Sequence, residues 1–352
     1  AAPSCFRSMY PKYRFMKIGI SRKGAAWVAC SIVGLLLAAC QPGGGADGDL
    51  GSADAYPSKS GTIICPWAPG GGTDRLARFM ADQLQKEFGK PFVVVNKTGG
   101  SGAVGHSAGA MEKPDGHTLT MATFELSTMH WMGISDLSWE DYAPVAGLNG
   151  DAAAIMVRAD SPWNSLADLI GYIKANPGKL KMSGTATGGA WDLARAGFQL
   201  EAGLAVDAVR WIPAQGSAPS IVELLGGHID AVCCSIPEAI TQIEAAQLRA
   251  LVVMSPERLS DHPDLPTAID EGINWSAVGW RGIVAPKGTP ADVVEKISAA
   301  CSKIVVSEDF REFMRKNGFA TDLKSSEAFT AFLSEQDAQW KTVIEATGYA
   351  KK

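Results

Sequence analysis

Residues 62–88 read TIICPWAPGGGTDRLARFMADQLQKEF. Thr62 to Pro66 is short, apolar and β-rich, which predicts a buried strand. Pro69 and the run Gly70-Gly71-Gly72 break it. Beyond them Leu76, Phe79, Met80, Leu84 and Phe88 recur at spacings of three, one, four and four, which is one face of a helix. Gly89 fits the position just past the helix end. A strand, a glycine turn and a helix in that order make the opening unit of an α/β fold.

The pattern recurs. Strands are predicted at Phe92–Val95, Thr118–Thr123, Lys181–Ser183, Val209–Ile212, Ile229–Cys233, Arg249–Met254 and Val278–Ala285. Helices are predicted at Ala103–Glu112, Leu166–Ala175, Trp191–Glu201 and Ile221–Leu225, and over most of Ala291–Tyr349. Alternation of this kind implies parallel sheets. With 352 residues, 46% of them hydrophobic, the chain can build two domains.

Three glycine-rich loops each end a strand and start a helix: Pro69-Gly70-Gly71-Gly72-Thr73-Asp74, Gly184 to Gly189 with Thr185, Thr187 and Gly188, and Gln215-Gly216-Ser217. Open α/β sheets bind ligands beyond the carboxyl ends of their strands. Unpaired N–H groups and the helix dipole there favour anions. None of the three loops contains Lys or Arg, although Arg75 follows the first. The expectation is a binding cleft that reads an acid with main-chain dipoles. A phosphate-binding P-loop is excluded because no Lys follows the glycines.

Two enzyme-like motifs share one stretch. Gly100-Ser101-Gly102-Ala103-Val104-Gly105 spells a dinucleotide fingerprint, with Glu125 placed 20 residues on. Its strand ends at Val95, too early for the tight turn, and it belongs to the second strand–helix unit. Gly105-His106-Ser107-Ala108-Gly109 spells the nucleophile elbow of serine hydrolases, but Ser107 falls inside a predicted helix. The histidines are His106, His117, His130, His228 and His262, none in the last 90 residues. Close packing of a small-residue helix on the sheet explains both spellings.

The N-terminus reads as an address. Met16 reads as the start codon, with Ala1 to Phe15 upstream of it. Lys17, Arg22 and Lys23 precede the uncharged run Gly24–Ala39, shorter than the roughly 20 apolar residues of a span. Leu37-Ala38-Ala39-Cys40 resembles a bacterial lipobox, so Cys40 is expected to carry lipid and residues 1–39 to be removed. Residues 40–55 form a polar, glycine-rich tether. Beyond residue 39 the chain has 26 basic and 37 acidic residues, a formal charge of −11. That charge excludes nucleic acid and anionic lipid surfaces as partners. Cys65, Cys233, Cys234 and Cys301 show no zinc spacing and read as buried thiols.

A family resemblance runs through residues 56–345. It is carried in order by Tyr56-Pro57-Ser58-Lys59, Ile63 to Asp74, Val94 to Gly102, Pro114-Asp115-Gly116-His117-Thr118-Leu119 and Asn176-Pro177-Gly178-Lys179-Leu180. It continues in Gly216-Ser217-Ala218-Pro219, Leu225 to Asp230 and Ala285-Pro286-Lys287-Gly288-Thr289-Pro290. The chain resembles the substrate receptors of tripartite tricarboxylate transporters, the Bug family. The resemblance implies a two-lobe α/β fold like periplasmic binding proteins of type II, with a hinge crossed twice. Lobe 1 is expected at 56–154 and 279–352, and lobe 2 at 155–278. With the N-terminal reading, the expectation is a monomeric, exported and lipid-anchored receptor that uses no cofactor or metal. Its expected ligand is a mono-, di- or tricarboxylate, and its partner a permease of one large and one small subunit. The alternatives are an exported serine hydrolase and a sensor receptor that feeds a signalling partner.

The resemblance also implies that Pro69 to Asp74, Thr123 to Ser127, Ser183 to Gly189, and Gly216-Ser217 face the ligand, with Trp67 where a Phe is common. The segment after the third strand is usually small and hydroxylated in this family. Here it is Thr123-Phe124-Glu125-Leu126-Ser127. A Glu would repel a carboxylate, so either Glu125 turns away or the ligand also carries a cationic or donor group.

Overall fold

The computed structural model describes residues 56–351. The export signal, Cys40 and the tether lie outside the described residues.

β1 (Gly61–Cys65) is almost wholly buried because it lies between β2 (Phe92–Asn96) and β3 (Thr118–Thr123), parallel to both. α1 (Gly72–Phe88) carries the chain from β1 to β2 and lays Leu76, Met80 and Leu84 on the sheet. It ends where Gly89 takes φ 66° and its N–H meets the Gln85 carbonyl. Phe79 and Phe88 sit at the edge of that face, half-buried against Phe313 and Tyr56.

α2 (Ala103–Ala110) is shorter than predicted. The turn before it holds Gly99, Gly100 and Gly102 at φ 125°, 54° and 87°, with Ser101 at 54°. Glycine reaches these angles without a Cβ clash, and this is the physical source of the GxGxxG spelling. Gly105 and Gly109 serve packing. A Cβ on Gly105 would stand 2.6 Å from Pro66 Cα and from the Lys97 carbonyl, and one on Gly109 would overlap the Thr120 hydroxyl.

The remaining elements are β4 (Tyr142–Arg158), α3 (Leu166–Ala175), β5 (Lys181–Ser183), α4 (Ala190–Glu201), β6 (Arg210–Trp211), α5 (Ser217–Leu225), β7 (Ala231–Ser235) and α6 (Ile236–Glu244). They are followed by β8 (Leu248–Val253), β9 (Val278–Pro286), α7 (Ala291–Val305), α8 (Glu308–Asn317) and α9 (Ser326–Thr347). The strand order is β2-β1-β3-β9-β4-β7-β5-β6, with β8 also on β4.

The sheet is mixed, not parallel throughout as alternation implied. β9 runs antiparallel to β3 and β4, and β4 antiparallel to β7 and β8. The cause is the 17-residue β4, which pairs with β9 over residues 142–152 and with β7 over residues 153–157. One strand thus belongs to both groups of strands. The chain comes back beside it. The Ala153 N–H meets the Ala277 carbonyl, and the Ala277 N–H meets the Met254 carbonyl, both at 2.9 Å. Periodicity hides β4 because Pro144 and Gly147 sit where its register slips. α6 was also not predicted. Pro237 in its first turn looks like a breaker, but a first-turn residue has no N–H bond to lose.

Cys65, Cys233, Cys234 and Cys301 are free and buried, as expected. Burial pushes the Cys65 and Cys301 thiols up to about 12. Among the described residues no group of His, Cys, Asp or Glu is arranged to hold a metal ion.

Close packing in α2 is testable by substitution. Alanine is the better helix former by roughly 0.8–1 kcal/mol, but overpacking costs about 1–3 kcal/mol. Gly109→Ala should therefore lower stability in a denaturant melt, while Ser107→Ala should stay within about 0.5 kcal/mol. A neutral Gly109→Ala would remove the packing explanation.

Candidate ligand-binding site

The N–H groups of a helix's first turn have no acceptor inside the helix. In α3, α8 and α9 a serine hydroxyl accepts one, from Ser165, Ser307 and Ser325. At α1, α4 and α5 the residue before the helix is glycine (Gly71, Gly189, Gly216), which has no side chain to cap it. The starts of these three helices line one cavity of about 30 Å³. α2 and α7 also lack a side-chain cap, but neither starts at the cavity.

The structure brings Trp67, Gly71, Gly72, Thr73, Thr123, Glu125, Thr185, Gly216 and Ser217 into the cavity wall. Over 100 residues separate the first loop from the second, so the convergence is tertiary. The loops are also joined to each other. The Ala68 N–H donates to the Gln215 carbonyl at 3.0 Å, and Ser101 Oγ donates to the Thr187 carbonyl at 2.6 Å. Trp67 Nε1 donates to Thr123 Oγ1 at 3.4 Å.

Other expected residues stand behind the wall. Asp74 turns inward, accepting from the Gly70 N–H (2.9 Å), Arg78 Nε (2.9 Å) and Asn96 Nδ2 (2.8 Å). Burial pushes its carboxyl up, but these donors overcome that and hold it below the usual range. Pro69 and Gly70 form the exposed turn outside it. Ser183 Oγ pairs with Ser220 Oγ at 2.9 Å. The Gly188 N–H donates to Asp192 in the first turn of α4 at 2.9 Å, so it is already spent. Thr187 is exposed, and Gly189 and Ser127 are buried outside the lining. Of the two threonines expected there, Thr185 lines the cavity: it is 4% exposed, and its hydroxyl has no hydrogen-bond partner.

Arg281, Glu238 and Trp191 also line the cavity and were not predicted. Arg281 adds a buried cation to a wall where only main-chain dipoles were expected. It projects from β9, buried, with Nη1 2.7 Å from Asp151, Nη2 3.1 Å from Glu238 and Nε donating to Thr73 Oγ1 at 3.0 Å. Asp151 also accepts from Asn149 Nδ2 (2.8 Å) and the Ala320 N–H (2.9 Å). Burial still pushes its carboxyl up to about 6, against the pull of Arg281. The sequence signal was present: one Arg in the otherwise uncharged strand Val278–Pro286 must be paired if buried.

Glu125 does not turn away. It is 2% exposed and lines the cavity. Its Oε1 accepts the Ala190 N–H, the first of α4, at 2.9 Å, and its Oε2 accepts from Thr123 Oγ1. Burial raises its carboxyl pKa, opposed by these two donors and by Arg281. Beside it His106 is fully buried, with Nδ1 2.9 Å from the Gly102 carbonyl. Burial pulls this imidazole down to about 4. Its Nε2 lies 3.4 Å from the Thr123 N–H and hydroxyl, so both ring nitrogens are turned to groups other than Ser107.

The profile of the tripartite tricarboxylate transporter family receptor matches residues 76–349. Protein BugT of Bordetella pertussis is 31% identical over 304 residues, 84% of this chain and 92% of the relative. The periplasmic binding protein BugD has a solved structure that superposes with a TM-score of 0.79 at 28% identity, over 84% of this chain and all of that one. Rpa4515 of R. palustris, solved with adipate, superposes with a TM-score of 0.78 at 26% identity, over 84% of this chain and 99% of that one.

The buried groups predict a pH profile. Asp151 has a folded pKa above its usual 3.8, so the folded state binds the extra proton between about 6 and 3.8, and acidification across that window stabilises. His106 has a folded pKa below its usual 6.5, so acidification from 6.5 to about 4 destabilises. The two oppose each other in the wild type. Asp151→Asn removes only the first, so its melting temperature should fall more steeply than the wild type's between pH 6.5 and 4. Parallel profiles would contradict the assignment.

Proposed function

Because the chain belongs to the tripartite tricarboxylate transporter receptor family, we propose that it captures a small organic carboxylate in the cavity between α1, α4 and α5 and passes it to a two-subunit membrane permease. It is an extracytoplasmic solute-binding receptor and not an enzyme. The observation that carries the ligand class is the convergence of two helix starts preceded by glycine, those of α1 and α5, on one wall that also holds Arg281. Main-chain N–H groups at positive dipole ends bind anions, and the relative solved with adipate supports a carboxylate.

The ligand-facing set in this reading is Trp67, Gly71, Gly72, Thr73, Thr123, Glu125, Thr185, Gly216, Ser217 and Arg281. At about 30 Å³ the cavity holds a few atoms, so a whole dicarboxylate enters only if its walls part. The two adjacent crossings, in β4 near Ala153 and in the return at Ala277, are the hinge of that motion. Residues 56–154 and 279–352 then form one lobe and 155–278 the other. The receptor acts as a monomer, held to the membrane through lipid on Cys40.

Two experiments test this reading. A thermal-shift screen across mono-, di- and tricarboxylates should raise the melting temperature, since a ligand that binds only the folded state stabilises it by mass action. Thr185→Val should weaken the best ligand at least ten-fold, a charge-assisted bond contributing about 1.5–3 kcal/mol, with the unliganded melt unchanged. An unshifted screen, or an unaffected Thr185→Val, would count against the cavity. Separately, Cys40→Ala should move the protein from the membrane to the soluble fraction, and a variant that stays with membranes would contradict lipid anchoring.

A further inference from the structure

Glu125 occupies a place that an anionic ligand would otherwise take. Its carboxylate sits at the start of α4 and accepts the Ala190 N–H at 2.9 Å. The seat for an anion at that helix is therefore filled by the protein itself. Two glycine-capped starts remain, at Gly72-Thr73 of α1 and Ser217-Ala218 of α5, and all four of these residues line the cavity. Thr185, whose buried hydroxyl has no partner, lines the same cavity.

The charges of the wall point the same way. Its ionisable side chains are Glu125, Glu238 and Arg281. The single guanidinium is already paired with Glu238 and with Asp151 behind it. One incoming carboxylate meets uncapped N–H groups and the remaining donors of Arg281. A second carboxylate at the Glu125 end would meet like charge in a site shielded from water, where such repulsion is strong. An ammonium there would meet a buried carboxylate acceptor.

We infer that Glu125 makes this receptor selective for a carboxylate that also carries a protonated amine, and selective against dicarboxylates of the same length. The inference rests on the carboxylate-receptor reading above and narrows its ligand class. Glu125 sets specificity by contact with the ligand's distal end, while the α1 and α5 starts hold the carboxylate common to both ligand types.

The test is calorimetric titration of the wild-type protein with length-matched pairs: 4-aminobutyrate against succinate, 5-aminopentanoate against glutarate and 6-aminohexanoate against adipate, together with α-amino acids. The expected result is that an amino-carboxylate binds at least ten-fold tighter than its matched dicarboxylate. Glu125→Gln should weaken that amino-carboxylate and strengthen the dicarboxylate, bringing the ratio to about one or reversing it. The wild-type ranking stands on its own should the variant fail to fold. A wild type that prefers dicarboxylates would overturn the inference and leave the carboxylate receptor standing; it would mean that Glu125 is protonated and donates. A ratio unchanged in folded Glu125→Gln would also overturn it. If no carboxylate of either kind binds the wild type, the receptor reading falls and takes this inference with it.

Discussion

A guanidinium stays buried only if its charge is matched, and the pairing of Arg281 with Asp151 and Glu238 is the interaction around which the cavity is arranged. Its partners come from separate places: Asp151 from the middle of β4, Glu238 from the first turn of α6 and Thr73 from the first turn of α1. Removing one partner of such a pair typically costs about 3–5 kcal/mol, because the other charge is left buried. The network therefore fixes where α1 and α6 begin relative to β9. Gly72 is the steric condition for it. A Cβ there would stand 2.9 Å from Arg281 Nη2 and from Glu238 Oε1.

The same arrangement explains why an acidic protein can bind an acid. Its own carboxylates are committed: Asp151 and Glu238 to Arg281, Asp74 to Arg78 and Asn96, Glu125 to the start of α4. The helix starts that face the cavity at α1 and α5 have no side-chain cap. The inferred selection among carboxylates rests on Glu125, the wall's carboxylate with no cationic side chain bonded to it.

Much of the fold and part of the site were legible in the sequence. Strand, glycine turn and helix in Thr62–Phe88 are local signals, and the structure keeps them almost residue for residue. The Gly-rich loops were legible for the same reason. The two catalytic spellings in Gly100–Gly109 were rightly set aside, since their glycines serve positive φ and close approach. Arg281 carried a local signal, a lone charge in an apolar strand, but its partners lie 130 and 43 residues away, so its place at the cavity was not legible. The different placement of Thr185 and Thr187, both expected at the ligand, has a similar origin. Two threonines two residues apart in a loop are equivalent in sequence, and only the path of the turn buries one and exposes the other. β4 was missed because Pro144 and Gly147 disguise a strand whose purpose is to cross between two groups of strands.

The central claim is that main-chain N–H groups at the α1 and α5 starts hold the ligand's carboxylate. Amide hydrogen exchange, with and without a saturating concentration of the carboxylate that stabilises the protein most, tests it directly. The account predicts slowed exchange at Gly72, Thr73, Ser217 and Ala218, because these amides gain an acceptor and lose water. Exchange unchanged at those four amides while the ligand slows exchange elsewhere would contradict it.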